Sequence, residues 1–137
     1  MPSLFTRILA GELPGAFVFR ETRWCAFLDI HPSAPGHTLL VPRHEAALLA
    51  DLPPEVLAEL GGYLARLTTC VKATTGAPAV HVQVNDGREA GQIIPHAHVH
   101  VVPRFGSGDR PVHQPGAKAA NEDLAAMAQR LAACWSA

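Results

Sequence analysis

The sequence predicts an α+β fold: an antiparallel sheet of about five strands with one long helix, a short N-terminal helix and a C-terminal helix. Three observations carry that expectation. Residues 54–73 place Val56, Leu60, Leu64, Leu67 and Val71 at helical spacing, which gives one buried stripe. Residues 79–85 and 96–103 alternate apolar and polar side chains, as half-buried strands do. The helical segments are interspersed among short strands and do not follow every strand in turn, as a parallel sheet would require.

Taken in order, Ser3 is placed to cap a first helix carrying Leu4, Phe5, Ile8 and Leu9. Gly11 and Gly15 break it. Residues 16–20 and 24–30 are rich in strand formers, and Glu21-Thr22-Arg23 between them suits a hairpin. Pro32, Pro35 and Gly36 mark a loop. A third strand is expected over 37–42, then a helical turn over 44–49. Pro54 and Glu55 suit the first turn of the long helix, and Gly76 ends it. Gly61 and Gly62 lie within that helix, where small residues permit another backbone to come close. In the fourth strand Val80, Val82 and Val84 face one way and His81, Gln83 and Asn85 the other. After an irregular, Gly- and Pro-rich stretch over 106–120, Asn121 is expected to cap a last helix that buries Leu124, Met127 and Leu131.

Composition bounds the partners. A chain of 137 residues fits a single domain, residues 1–137, with one core. The formal net charge of −1 leaves no basic surplus for neutralising many phosphates, so nucleic acid is not an expected partner. No apolar run approaches the roughly 20 residues that span a bilayer, and no membrane association is expected. The start, Met1 to Arg7, lacks the pattern of a signal peptide. Three cysteines without paired spacing do not form a disulfide framework, which points to a cytoplasmic protein.

The chemistry concentrates in His96-Ala97-His98-Val99-His100-Val101-Val102. On a strand, alternate residues share a face at steps of about 6.5–7 Å, so three imidazoles line up while Ala97, Val99 and Val101 face a core. Upstream, Asn85-Asp86-Gly87-Arg88-Glu89-Ala90-Gly91-Gln92 has glycines that let backbone amides approach an anion. Three readings of the histidine row stand. It is a surface strand whose histidines are incidental, or a metal site of His-x-His spacing, or a nucleophilic imidazole acting at phosphorus. No Asp, Glu or Cys within the segment completes a mixed metal site.

The run from Asn85 through Gly91-Gln92-Ile93-Ile94-Pro95 to His96-Ala97-His98-Val99-His100-Val101-Val102-Pro103-Arg104 resembles the signature of the histidine triad family of nucleotide hydrolases and transferases. The resemblance extends upstream. Residues 4–14 are similar to the family's opening helix. Phe27-Leu28-Asp29-Ile30, Ala34-Pro35-Gly36-His37 and Leu39-Leu40-Val41-Pro42-Arg43-His44 are similar to its ribose-binding strand and the strand that follows. It covers about residues 3–105, with a weaker match in the C-terminal helix, and implies the histidine-triad (HIT-like) fold.

The resemblance implies roles residue by residue. His98 attacks the α-phosphorus and forms a nucleotidyl-histidine that water hydrolyses. His96 contacts phosphate and helps the leaving group depart, and His100 donates to a non-bridging oxygen. His44 supports the site from upstream. Asn85, Gly91 and Gln92 match phosphate-loop positions, with Gln92 among the catalytic set. Asp29 accepts from the ribose hydroxyls. Phe5, Ile8, Phe27, Leu28 and Ile30 form an apolar cleft for a purine. Plain core is the other reading of Phe5, Ile8 and Phe27, and a turn carboxylate is the other reading of Asp29. Ile93, at the edge of the substrate site, stands where some members carry serine, so leaving-group handling is expected to differ and phosphoramidase activity is less firmly implied. Many bacterial members hold a structural zinc through Cys-x-x-Cys near the opening helix; Leu4 to Ile8 has no cysteine, so no metal and no cofactor are expected. His31, His37 and His113 are read as surface or loop residues. The expected partner is a small purine nucleotide, a phosphoramidate or a dinucleoside polyphosphate, and the expected assembly is a two-fold homodimer. A purine-nucleotide-binding regulatory protein with residual turnover, and a zinc hydrolase, are the alternatives.

Overall fold

Five antiparallel strands form one sheet in the order β1-β2-β3-β5-β4 in the computed structural model, which describes residues 1–112 and 114–137. His113 lies outside the described residues. The strands are β1 (Phe17–Arg20), β2 (Trp24–Leu28), β3 (Thr38–Pro42), β4 (Ala79–Gln83) and β5 (Val99–Arg104). The helices are α1 (Leu4–Leu9), α2 (Pro54–Leu57), α3 (Leu60–Thr75) and α4 (Asn121–Ser136).

Alternation along β2 and β3 sorts the core onto two faces. Trp24, Ala26, Leu28 and Leu40 point one way and pack with Leu67, Val71, Leu131 and Trp135 of α3 and α4. Phe27, Leu39 and Val41 point the other way and pack with Phe5 of α1. Burying an aromatic or a branched aliphatic side chain is worth about 1.5–3 kcal/mol, so both faces contribute, the helical one more. The second face is thinly covered, and it carries the histidines.

Three expectations need correction. The long helix expected over 54–73 is two helices, broken at Ala58 and Glu59. The Val56 carbonyl, which a continuous helix would offer to the amide of Leu60, instead accepts from the Trp24 indole (2.9 Å) and the Glu59 amide (3.2 Å). Gly61 and Gly62 face outward, and beyond their chain neighbours and the helix's own backbone no described atom lies within 4 Å of where a Cβ would sit. The strand expected from His96 begins only at Val99. Its ladder with β3 stops at the Leu40–Val99 pair, because Pro42 has no amide and its carbonyl accepts from the His96 ring. Asn121 is not a cap: it already lies in the first turn of α4, behind Ala120, and the amide of Ala119 is tied to the Ile30 carbonyl (2.9 Å).

Other signals read directly. Ser3 caps α1 by accepting from the Thr6 amide (3.0 Å). Gly76 closes α3 at φ +77°, where a side chain would be strained. The helical turn expected over 44–49 does not form: that stretch is a bend, and a short 3₁₀ turn follows only at Leu49–Asp51. No helix among the described residues is long and apolar enough to cross a membrane.

Candidate active site

The three histidines lie at the head of β5, and each has its proton placed by a neighbour. His98 is buried, with its Nδ1 2.7 Å from the carbonyl oxygen of His96. A carbonyl only accepts, so Nδ1 carries the hydrogen and Nε2 keeps its lone pair. Burial then holds His98 below the ordinary histidine range, against the pull of the carbonyl. Phe5 packs edge-on against it at 4.9 Å, and the His100 ring lies at the same distance. The result is a neutral imidazole with one free nitrogen.

His96 is 0% exposed. Its Nε2 donates to the Pro42 carbonyl (2.8 Å), so its Nδ1 accepts, and the Ser3 hydroxyl donates to it at 2.7 Å. Both ring nitrogens are therefore engaged within the protein. The contact with phosphate that the resemblance implies is not available to this ring as it stands. The geometry makes His96 the residue that aims its own carbonyl at His98. Ser3 is held in turn by Glu45, whose carboxylate accepts from the Thr6 hydroxyl and the Ser3 amide, each at 2.6 Å. Those two bonds, Thr6 foremost, bring the Glu45 carboxyl down to about 2.

His100 is oriented by a residue that sequence reasoning left in a loop. His37 is 3% exposed, and its Nε2 lies 2.9 Å from Nδ1 of His100. The Ser33 amide donates to His37 Nδ1 at 3.0 Å. With Nδ1 accepting, the neutral ring carries its hydrogen on Nε2 and donates to His100, whose own hydrogen must then sit on Nε2. Burial pushes His37 down to about 4, helped by the Arg104 and His98 charges. It pushes His100 down to about 4 as well, helped by His98 and His37. The reading of His37 as a surface residue is thus corrected. The signal was present: His37, Leu39 and Val41 alternate, and Leu39 and Val41 are on the same face of the sheet as Phe27.

Asp29 follows β2, half-buried, with Oδ1 accepting from the His31 amide (2.9 Å) and Oδ2 3.6 Å from His37 Nε2. Ligand atoms of Asp29, His37 and His100 lie within 4.8 Å of one another. A divalent cation there would need the His37 Nε2 lone pair. The Ser33 amide already occupies Nδ1, so that lone pair exists only as an imidazolate. The trio fits a hydrogen-bonded relay better than a metal cage.

The remaining expected residues divide. Phe5 and Phe27 form the apolar wall with half-buried Ile8 and with Phe17, which stacks edge-on to Phe27 at 5.6 Å. Leu28 belongs to the other face: period-two alternation turns it into the α3–α4 core. Ile30 and Ile93 are exposed at the margin. His44 is exposed and forms no side-chain hydrogen bond among the described residues. The upstream support expected of His44 comes from His37. Gln92 is buried, accepting from the Gly87 amide (2.8 Å) and donating to the carbonyls of Ala47 (2.7 Å) and Ile94 (3.0 Å). Its side chain clasps the loop and is not free for a ligand. Gly91 closes the turn Arg88–Ala90 at φ +93°. Asn85 accepts from Gln83 Nε2 (3.0 Å) and keeps its own amide donors available.

A five-stranded antiparallel sheet with a His-x-His-x-His row at the head of its fourth-placed strand, faced by a carboxylate and a phenylalanine wall, defines the histidine triad class of proteins. The chain belongs to that family: the HIT domain matches residues 10–107. It is 41% identical over 103 residues to a HIT-like protein of Mycobacterium tuberculosis, covering 75% of this chain and 72% of that one. It is 31% identical over 105 residues to the adenosine 5′-monophosphoramidase of Candida albicans, covering 74% and 69%. Among solved structures, a HIT-like protein involved in cell-cycle regulation from Bartonella henselae superposes with a TM-score of 0.89 at 26% identity, covering 96% and 95%.

Proposed function

We propose that this protein is a nucleotide hydrolase or transferase that attacks the α-phosphate of a purine nucleoside phosphoramidate or dinucleoside polyphosphate. The observation that carries the reading is the 2.7 Å bond from His98 Nδ1 to the His96 carbonyl, which leaves Nε2 unprotonated and nucleophilic. Nε2 forms a bond to the α-phosphorus, and the bond to the leaving group breaks. The leaving group departs with the electron pair and takes a proton from water. The substituted ring is then cationic, and the His96 carbonyl against Nδ1–H stabilises that charge. Water next attacks phosphorus, the P–N bond returns its pair to Nε2, and a nucleoside monophosphate is released.

His100 presents Nε2–H to a non-bridging oxygen, because His37 holds its other nitrogen. Asp29 is suited to a vicinal diol, an acceptor facing two hydroxyl donors. Half-buried Ile8 and Phe17, backed by buried Phe5 and Phe27, offer an apolar surface for a purine to pack on. Similarity to a named adenosine 5′-monophosphoramidase supports the phosphoramidate branch.

A substrate panel with product identification tests this. Release of nucleoside monophosphate is expected, unaffected by chelators. His98→Ala should abolish turnover and leave nucleotide affinity nearly intact, since the nucleophile acts in the transition state. An acid-labile nucleotide on His98 should be trapped by rapid quenching. More than a few per cent residual activity in His98→Ala defeats the assignment. Binding without turnover in the unaltered chain favours a regulatory protein.

A further inference from the structure

Arg104 ends β5 on the face that carries His100, yet nothing in the chemistry above uses it. Its Nε donates to Nδ1 of His81 across the β4–β5 pair at 2.8 Å. Its Nη1 and Nη2 are buried and have no hydrogen-bond partner among the described residues. The residue is 8% exposed. No carboxylate forms an ion pair with it among the described residues. A guanidinium keeps its charge at any working pH, so it cannot escape burial by losing a proton. Buried polar groups are almost always satisfied, and buried charges are almost always paired. Four N–H donors on a charged, dry fork point to a missing acceptor.

Space for that acceptor exists. Arg104 borders a cavity of about 420 Å³ between the start of β4 and the chain after β5, walled by Pro78, Ala79, His81, Phe105, Asp109 and Arg110. Most of the groups able to serve a ligand there are donors. His81 accepts on Nδ1, so its neutral ring carries a hydrogen on Nε2. Arg110 is exposed at the rim. Asp109 is the one acidic wall residue, and its Oδ2 accepts from the amides of Phe105 (2.8 Å) and Gly106 (3.1 Å). The Arg104 charge is also felt at His37, so this cavity shares an electrostatic neighbourhood with the triad.

We infer that this cavity is an anion site separate from the triad. It takes a compact phosphate-class oxyanion, gripped by the Arg104 fork with His81 and Arg110 in support. Planar guanidinium donors match two oxygens of such a group at once, and an acceptor-rich ligand suits a wall whose free polar groups are mainly donors. The oxyanion is either free phosphate or a phosphoryl group carried on a larger metabolite.

The test titrates inorganic phosphate into the full chain at low ionic strength, reading the Arg104 Nε–H resonance by NMR and the affinity by calorimetry. Saturable binding that moves the Arg104 signal is expected. Arg104→Met should weaken binding roughly tenfold or more, the usual effect of losing a charged hydrogen bond. His81→Phe and Arg110→Ala alter exposed side chains; each should weaken phosphate several-fold in a folded protein, which keeps the test decisive if Arg104→Met does not fold. A phosphomonoester that binds more tightly than phosphate with the same variant dependence identifies the carried phosphoryl group as the source; equal or weaker binding identifies free phosphate. The inference is overturned by the absence of saturable binding at millimolar phosphate, by unchanged affinity in the folded variants, or by phosphate binding that shifts the triad histidine resonances and leaves the Arg104 signal unmoved. That last result would place the phosphate at the triad. None of these outcomes alters the hydrolase assay, so the two readings stand or fall separately.

Discussion

His37 Nε2 lies 2.9 Å from His100 Nδ1, and the Ser33 amide decides which ring gives the hydrogen. One backbone N–H on His37 thereby fixes the tautomer of a ring two bonds away. His37→Phe fills the same space without a donor, leaving His100 Nδ1 free to take the hydrogen and present a lone pair to the phosphate. Loss of such an orienting partner typically costs 10- to 100-fold, as in metal-site second shells (roughly, by analogy). The expected result is a fall of that size in kcat with a smaller change in KM. His37→Gln, which restores an N–H near the same place, should recover part of it. Equal kcat in both variants and the parent would show that His37 only fills space.

Asp29→Ala tests the sugar. If the carboxylate accepts from both ribose hydroxyls, ribonucleotides should be preferred over 2′-deoxy analogues by roughly ten- to a hundredfold, the range for one charged hydrogen bond. The variant should lose most of that preference, with a smaller effect on the chemical step. Measured kcat/KM for both sugars decides it. An unchanged ratio would assign Asp29 to its turn, where it already holds the His31 amide.

Acid should weaken the fold in a window set by the histidines. His37 and His100 sit near 4 when folded, against an ordinary value of 6.5. Between these values the unfolded chain binds protons that the folded chain refuses, so unfolding becomes easier as pH falls. The stabilisation is complete above pH 6.5, declines below it, and is lost near 4. One such group corresponds to roughly 3 kcal/mol, enough to lower Tm by about 10 °C. Melting curves between pH 8 and pH 4 check this (range chosen to bracket both values). A Tm that stays level down to pH 4.5 (roughly mid-window) contradicts it.

A two-fold homodimer is expected in solution. β4 is an edge strand with Val82 45% exposed, and Gly61 and Gly62 leave an open patch on α3. An apolar edge strand invites pairing with a second copy. Light scattering at micromolar concentration should give twice the chain mass, and a monomer there refutes the expectation.

Much of this molecule is legible in its residues because periodicity reports which face a side chain takes. The five strands, the Gly76 stop and the Ser3 cap follow from local rules. The break at Ala58 does not, because it depends on an indole thirty-two residues away in the chain. His98 is legible from its row, yet its tautomer depends on a carbonyl direction that spacing does not encode. His37 and His44 look alike as isolated letters; only the pairing of β3 with β5 brings His37 beside His100 and leaves His44 in solvent. Leu28 shows the converse: resemblance put it in the cleft, and plain alternation along β2 assigns it to the opposite face.

The Gln92 clasp bears on how a ligand would be received. One side chain ties Gly87, Ala47 and Ile94 together with three bonds, so the glycine-containing loop is ordered when the chain folds. Fixing a residue's backbone costs about 1–2 kcal/mol of conformational entropy, and a loose loop would meet that cost at each encounter with a ligand. Here the ordering is already complete, and the entropic penalty of association falls mainly on the ligand itself.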